Sequence, residues 1–79
     1  MLIEQSRRQR EAGRYAEAAA AVERALRIEP NDPLLWIELG EIRRDQGDVE
    51  QAEVMARKAL TLASGDRDIE TRAFALIDR

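Results

Sequence analysis

Carboxylates spaced three residues apart are the part of this sequence that comes closest to catalytic chemistry. Glu38 with Glu41, and Glu50 with Glu53, each fall on one face of a helix, where one group can act as an acid and the other as a base. Both pairs lie among arginines, and solvated ion pairs between neighbouring helical turns explain them more simply. We therefore interpret them as polar helix faces.

Nucleophilic and metal chemistry have no support in the sequence either. The hydroxyl residues Ser6, Ser64 and Thr71 cannot belong to a catalytic triad, because the chain has no histidine to activate them. The chain also lacks cysteine, and its carboxylates do not have the spacing of metal ligands. We expect no enzymatic activity, no cofactor and no metal.

Three arginines close together, Arg7, Arg8 and Arg10, are a second chemical feature. Guanidinium groups bind phosphate or carboxylate through two parallel hydrogen bonds, so an anion-binding surface is one interpretation. Glu4 and Glu11 flank the cluster, which favours a solvated, mixed-charge face instead.

The overall charge argues against nucleic acid and membrane partners. The chain has 13 Lys and Arg against 16 Asp and Glu, a net charge of −3, so nothing attracts the whole domain to polyanions or anionic lipid. Its longest apolar run, residues 18–22, is much shorter than a membrane span. We expect a soluble protein without a signal peptide, and the excess of arginine over lysine is typical of a bacterial, GC-rich genome.

The elements that must position these side chains repeat every 34 residues. The matched pairs are Gly13 with Gly47, Ala18 with Ala52, Ala25 with Ala59, and Leu26 with Leu60. A period of this length is typical of a solenoid, in which each unit of secondary structure stacks on the next.

Helix start and stop signals are clearest in the second repeat. Asp32 is placed to cap a helix, and Pro33 suits its first position, where no backbone N–H is needed. Gly47 ends that helix, and Asp48 with Gln51 predicts a capping box at the start of the next one. So short a connection makes the two helices antiparallel.

The same signals along the chain predict an all-α, single-domain fold. Its five helices are expected at about 2–12, 15–28, 33–46, 49–62 and 67–78. The first is poorly amphipathic, because Gln5 and Gln9 occupy packing positions. We divide the single domain, residues 1–79, into repeat one (1–32), repeat two (33–66) and a terminal helix (67–79) that is the first half of a third unit.

The second repeat resembles the tetratricopeptide repeat family. It carries the order and spacing of the family motif at Trp36, Leu39, Gly40, Ala52 and Ala59. Arg43, Ala56 and Ser64 depart from the motif, which usually has tyrosine, phenylalanine and proline there. The resemblance implies a tetratricopeptide-type helical hairpin solenoid, with Trp36 buried between hairpins, that binds a peptide or protein segment in a concave groove.

The resemblance also implies which residues form that groove. The family's groove positions, on the first helices of successive hairpins, correspond here to Ile3, Arg7, Arg10, Leu34, Ile37, Glu41, Arg44, Thr71 and Arg72. The charges in this set are mixed, so we expect a mixed-charge ligand bound with modest, salt-sensitive affinity. The Lys and Asn constellation with which some family members grip acidic chaperone termini is missing.

A structural or self-association role is the alternative. A stable stack needs about three repeats, and this sequence supplies two and a half. Phe74 falls at the repeat position of Gly40, where a small residue is usual, which predicts an exposed patch of Phe74, Leu76 and Ile77. Either a second copy covers this patch in a two-fold homodimer, or the helix shifts and buries Phe74 within its own monomer.

Overall fold

The computed structural model describes residues 2–77, with side chains from residue 3. They form α1 (Leu2–Glu11), α2 (Tyr15–Ile28), α3 (Pro33–Asp45), α4 (Val49–Leu62) and α5 (Arg67–Ile77). The predicted all-α fold of five helices is confirmed: every start matches, and α1 and α3 end one residue earlier than expected. The predicted end of the fifth helix, at residue 78, lies outside the described residues.

The turn between α3 and α4 shows how local sequence sets the helix ends. Gly47 has φ of +81°, which only glycine adopts without strain, and its N–H donates to the Arg44 carbonyl. The N–H of Asp48 donates to the Arg43 carbonyl, so the last turn of α3 closes as a Schellman motif. The Asp48 carboxylate then accepts the N–H of Gln51 at 3.1 Å and caps α4.

Each helix packs on the next, and α3 also packs directly on α5. The centre of the fold is α3, which is buried on two sides. On one side, α3 forms a buried apolar cluster with alanines and Val22 of α2, to which it contributes Leu35, Leu39 and Ile42. On the other side, Ile37 belongs to a second cluster with residues of α4 and α5. Alanines on the facing helices allow this close packing, since they add little bulk between the backbones. Among residues 2–77, none of the helices has both the length and the apolar character needed to cross a membrane.

Two aromatic expectations have different outcomes. Trp36 was expected to be buried between hairpins, but it is only partly buried: its Nε1 donates to the Pro30 carbonyl at 2.8 Å, and the Lys58 ammonium lies 5.8 Å from its ring. Phe74 is 56% exposed, so α5 does not shift to bury it.

The expected patch on α5 needs a correction at Leu76. This side chain is 2% exposed, because it packs into the core over Gly40, where an added Cβ would lie 2.9 Å from its Cδ1. Ile77 is partly buried against the same core cluster. The exposed apolar surface of α5 therefore centres on Phe74 alone.

Candidate functional site

A groove of about 560 Å³ lies where α1, α3 and α5 meet, and charged side chains line it. The lining residues are Arg7, Arg10, Glu11, Glu38, Asp45 and Arg72. Arg7 and Arg10 are one helical turn apart on α1, and Glu38 and Asp45 are two turns apart on α3, so each helix directs one polar stripe into the groove.

Glu38 lies at the bottom of the groove and joins three helices. Its residue is 1% exposed, and its Oε2 accepts hydrogen bonds from Nη2 of Arg7 and from Nη2 of Arg72, each at 2.8 Å. Burial alone would raise the pKa of Glu38, but the hydrogen bonds and charges of Arg7 and Arg72 outweigh it and hold the pKa below its ordinary value. The carboxylate is therefore ionised at neutral pH.

Glu41, one turn further along α3, takes a two-pronged hydrogen bond from Arg72. Nη2 of Arg72 donates to Oε1 at 2.7 Å, and its Nε donates to Oε2 at 3.0 Å, the fork geometry that makes arginine–carboxylate pairs strong. The hydrogen bond to Glu41 is the largest influence on Arg72 and, together with Glu38, raises its pKa despite partial burial. Arg72 thus fastens α5 to α3.

Arg10 completes the chain of contacts on the other side of Glu41. Its Nη1 donates to Glu41 at 3.3 Å and its Nε donates to Asp45. Burial lowers the pKa of Arg10, but the hydrogen bond and charge of Asp45 more than compensate, so the net shift is upward. We call the six residues joined in this way the groove network: Arg7, Glu38, Arg72, Glu41, Arg10 and Asp45.

The groove network corrects the sequence interpretation of Glu38 and Glu41 as solvated pairs between turns of one helix. Their partners lie on other helices, at separations of 31 residues for Arg7–Glu38, Arg10–Glu41 and Glu41–Arg72. This separation is one 34-residue repeat less about one helical turn. The same pairing between the first helices of successive hairpins therefore occurs in both places. A search for opposite charges at that spacing is the signal that would have found it.

The network favours binding over catalysis. A general acid or base must exchange its proton near the working pH, whereas Glu38 is paired, buried and held ionised. In the part of the chain that the structure describes, no group of three or more potential ligands is placed to hold a metal. Within the groove network, Arg7 has the most exposed side chain, at 48%, and it lies beside the buried Glu38.

The remaining expected groove residues divide into three sets. Arg44 and Thr71 are exposed and precede the lining residues Asp45 and Arg72 in the sequence, but they do not themselves line the groove. Ile37 is fully buried in the core that α3 forms with α4 and α5, so its expected place on the groove surface is corrected. Ile3 and Leu34 line a separate opening.

That opening, which we call the apolar cleft, has a volume of about 330 Å³ at the N-terminal ends of α1 and α3. Its walls include Ile3, Ile28, Leu34, Leu35 and two carboxylate residues, Glu29 and Asp32. Ile28 is the most exposed large apolar side chain in the described residues, at 74%. Ile28 is the last residue of the expected second helix, and no sequence motif marks it as a surface contact.

Comparisons with known proteins agree with this architecture. The globular C-terminal domain of P. aeruginosa LpoP superposes with a TM-score of 0.93 and 36% sequence identity, covering 96% of this chain and 72% of that one. No curated protein matches the sequence significantly. The family model for the tetratricopeptide repeat matches residues 9–71, which is most of the chain. The protein is therefore a member of the tetratricopeptide repeat family.

Proposed function

We propose that this chain is a protein-binding module that holds a peptide, or a segment of a larger protein, in the groove between α1, α3 and α5. The family is in general one of non-enzymatic protein interaction modules. The observation that carries the proposal is the groove itself, an opening of about 560 Å³ whose charged lining is held in one arrangement by the groove network.

Preorganisation is the physical reason why such a groove suits binding. Arg72, Glu38 and Glu41 are already held by hydrogen bonds across helices, so a ligand does not have to order them. Because each of these charges has a partner of opposite sign, a purely acidic ligand must compete with Glu38 and Glu41 for the arginines. A mixed-charge segment, which can pair with both signs, fits this surface better.

The test selects peptides from a displayed library of random linear sequences and measures their affinity by fluorescence anisotropy. Arg7→Ala combined with Arg44→Ala is expected to weaken binding by about tenfold or more, because arginine is a frequent source of binding energy. Arg57→Ala, on the exposed side of α4, is the matched control and should leave the affinity unchanged. Higher salt should weaken binding to the unmodified chain.

Arg7 also pairs with Glu38, so loss of folding must be separated from loss of contact. Arg44→Ala alone serves this purpose, because Arg44 is exposed and forms no ion pair with another of residues 3–77. Circular dichroism melting curves verify that each variant is folded. If the double variant is folded and binds as tightly as the unmodified chain, the groove assignment is wrong.

Self-association is a second candidate, favoured by the exposure of Phe74. At the equivalent position of the preceding unit, a Cβ on Gly40 would meet Met55 Cβ at 3.2 Å and the Ala52 carbonyl at 3.3 Å, both from α4. The corresponding side of α5 is not covered by any described helix, and it carries an aromatic side chain. A second copy of the chain is the occupant we propose for it.

A further inference from the structure

The apolar cleft is a second opening beside the groove, and it differs from the groove in character. Its walls are mainly aliphatic, with Ile3 from α1, Ile28 from α2 and Leu34 from α3 converging on one space of about 330 Å³. Scattered exposed aliphatic residues are common on proteins, but aliphatic residues that line a shared concavity are typical of a ligand pocket.

The cleft continues the groove along the same helix faces. Ile3 lies four residues before Arg7 on α1, and Leu34 lies four residues before Glu38 on α3. Residues four apart are neighbours on one side of a helix, so each wall passes from aliphatic to charged within one turn. A segment bound in the groove therefore reaches the cleft if it extends by about 5 Å, the rise of one helical turn.

The charge at the cleft is one-sided, unlike the balanced charge of the groove network. Glu29 and Asp32 line it, and none of the arginines or lysines between residues 3 and 77 does. Neither carboxylate forms an ion pair with another of residues 3–77; the Asp32 Oδ1 accepts the Leu34 N–H and caps α3. Two carboxylates without a cationic partner favour a basic group on whatever enters.

We propose that the apolar cleft is an anchor subsite, which takes an aliphatic or aromatic side chain of the bound peptide flanked by a lysine or arginine. The apolar side chain packs against Ile3, Ile28 and Leu34, and the basic one pairs with Glu29 and Asp32. This inference rests on the proposed function and adds the chemistry of the partner to it.

The experiment uses the same displayed library of random linear peptides, selected on the unmodified chain. The selected sequences are expected to share an apolar residue next to a basic one. Ile28→Ser should weaken their binding by about tenfold or more, since buried apolar anchors dominate binding energy. Val54→Ser is the matched control, because Val54 is another exposed aliphatic residue on a second helix of a hairpin, and it should have no effect.

Two further measurements test the geometry and the charge. Amide chemical shifts in ¹⁵N-labelled protein should move at Ile3, Ile28 and Leu34 on titration with a selected peptide, and should stay still at Val54. Glu29→Gln should weaken binding of the selected peptides by about two- to fivefold, the usual size for a peripheral charge pair. The affinity of peptides in which the basic residue is replaced by alanine should be the same for Glu29→Gln and the unmodified chain.

The outcomes separate this inference from the proposed function. Binding that is lost with Arg7→Ala and Arg44→Ala but unchanged in Ile28→Ser overturns the anchor and leaves the groove standing. Binding that is lost in Ile28→Ser but insensitive to both arginines supports the anchor and contradicts the groove. A selected consensus without the apolar–basic pair overturns the anchor, and so does a dimer of the unmodified chain that Ile28→Ser dissociates.

Discussion

At the scale of single residues, Glu38 is the side chain on which the groove depends most. A buried carboxylate is costly unless charged donors satisfy it, and here Arg7 and Arg72 both donate to the same oxygen. Removing the charge leaves these two guanidinium groups facing each other across a neutral side chain. The cost is moderated by solvent, because Arg7 is about half exposed.

We predict that Glu38→Gln lowers the free energy of unfolding by about 1.5–3 kcal/mol at neutral pH, the usual range for hydrogen bonds that involve charged groups. Urea denaturation followed by circular dichroism measures it. Glu17→Gln, an exposed carboxylate on α2, is the control and should change stability by less than about 0.5 kcal/mol. An equal effect of the two substitutions would show that the groove network does not contribute measurably to the free energy of unfolding.

The pH dependence of this effect has a definite sign. The pKa of Glu38 is lowered in the folded protein, so its ionised form stabilises the fold. The contribution is complete above the pKa of the unfolded chain, about 4.3, and is lost as the pH falls through the lower pKa of the folded state. We therefore expect the stability difference between the unmodified chain and Glu38→Gln to be constant near neutrality and to shrink in acid. A difference that grows in acid would contradict the lowered pKa.

At the scale of helices, the approach of α4 and α5 to α3 depends on Gly40. It is buried in the middle of α3, and an added Cβ would lie 2.9 Å from Leu76 Cδ1 and 3.2 Å from Met55 Cβ. Glycine in a helix interior is otherwise unfavourable, so Gly40 contributes by leaving space for the side chains of Leu76 and Met55.

The substitution Gly40→Ala opposes two physical effects. Alanine improves helix propensity by about 1 kcal/mol, whereas overpacking a core costs about 1–3 kcal/mol. Leu76 can move its side-chain end, but the Met55 Cβ is fixed to the backbone of α4, so we predict net destabilisation. The midpoint of urea denaturation should fall. A stabilised variant would show that α4 and α5 retreat from α3 at little cost.

At the scale of the whole molecule, the described fold covers α3 on both sides but leaves Phe74 of α5 exposed. If a second copy covers it, the mass measured by light scattering should rise with protein concentration toward that of a dimer. Phe74→Glu should then remain monomeric, and Val54→Ser, at another exposed apolar site, should still associate. A chain that stays monomeric at high concentration ends the dimer proposal.

The sequence by itself determined the five helices, the residues at which they start, and the family. These features are local or periodic: a cap such as Asp48 or a turn at Gly47 depends on neighbouring residues, and the 34-residue period forces one hairpin to repeat the next. Only the tertiary structure decided which charges meet and which apolar residues are covered. Glu38 was expected on a solvated face. Its partners Arg7 and Arg72 are 31 and 34 residues away on other helices, so the spacing of charges along α3 does not reveal them. Ile37 and Leu76 were expected at the surface, and packing of α3 against α5 buries both. Burial depends on the helices packed around a residue, and helical spacing along one chain does not specify them.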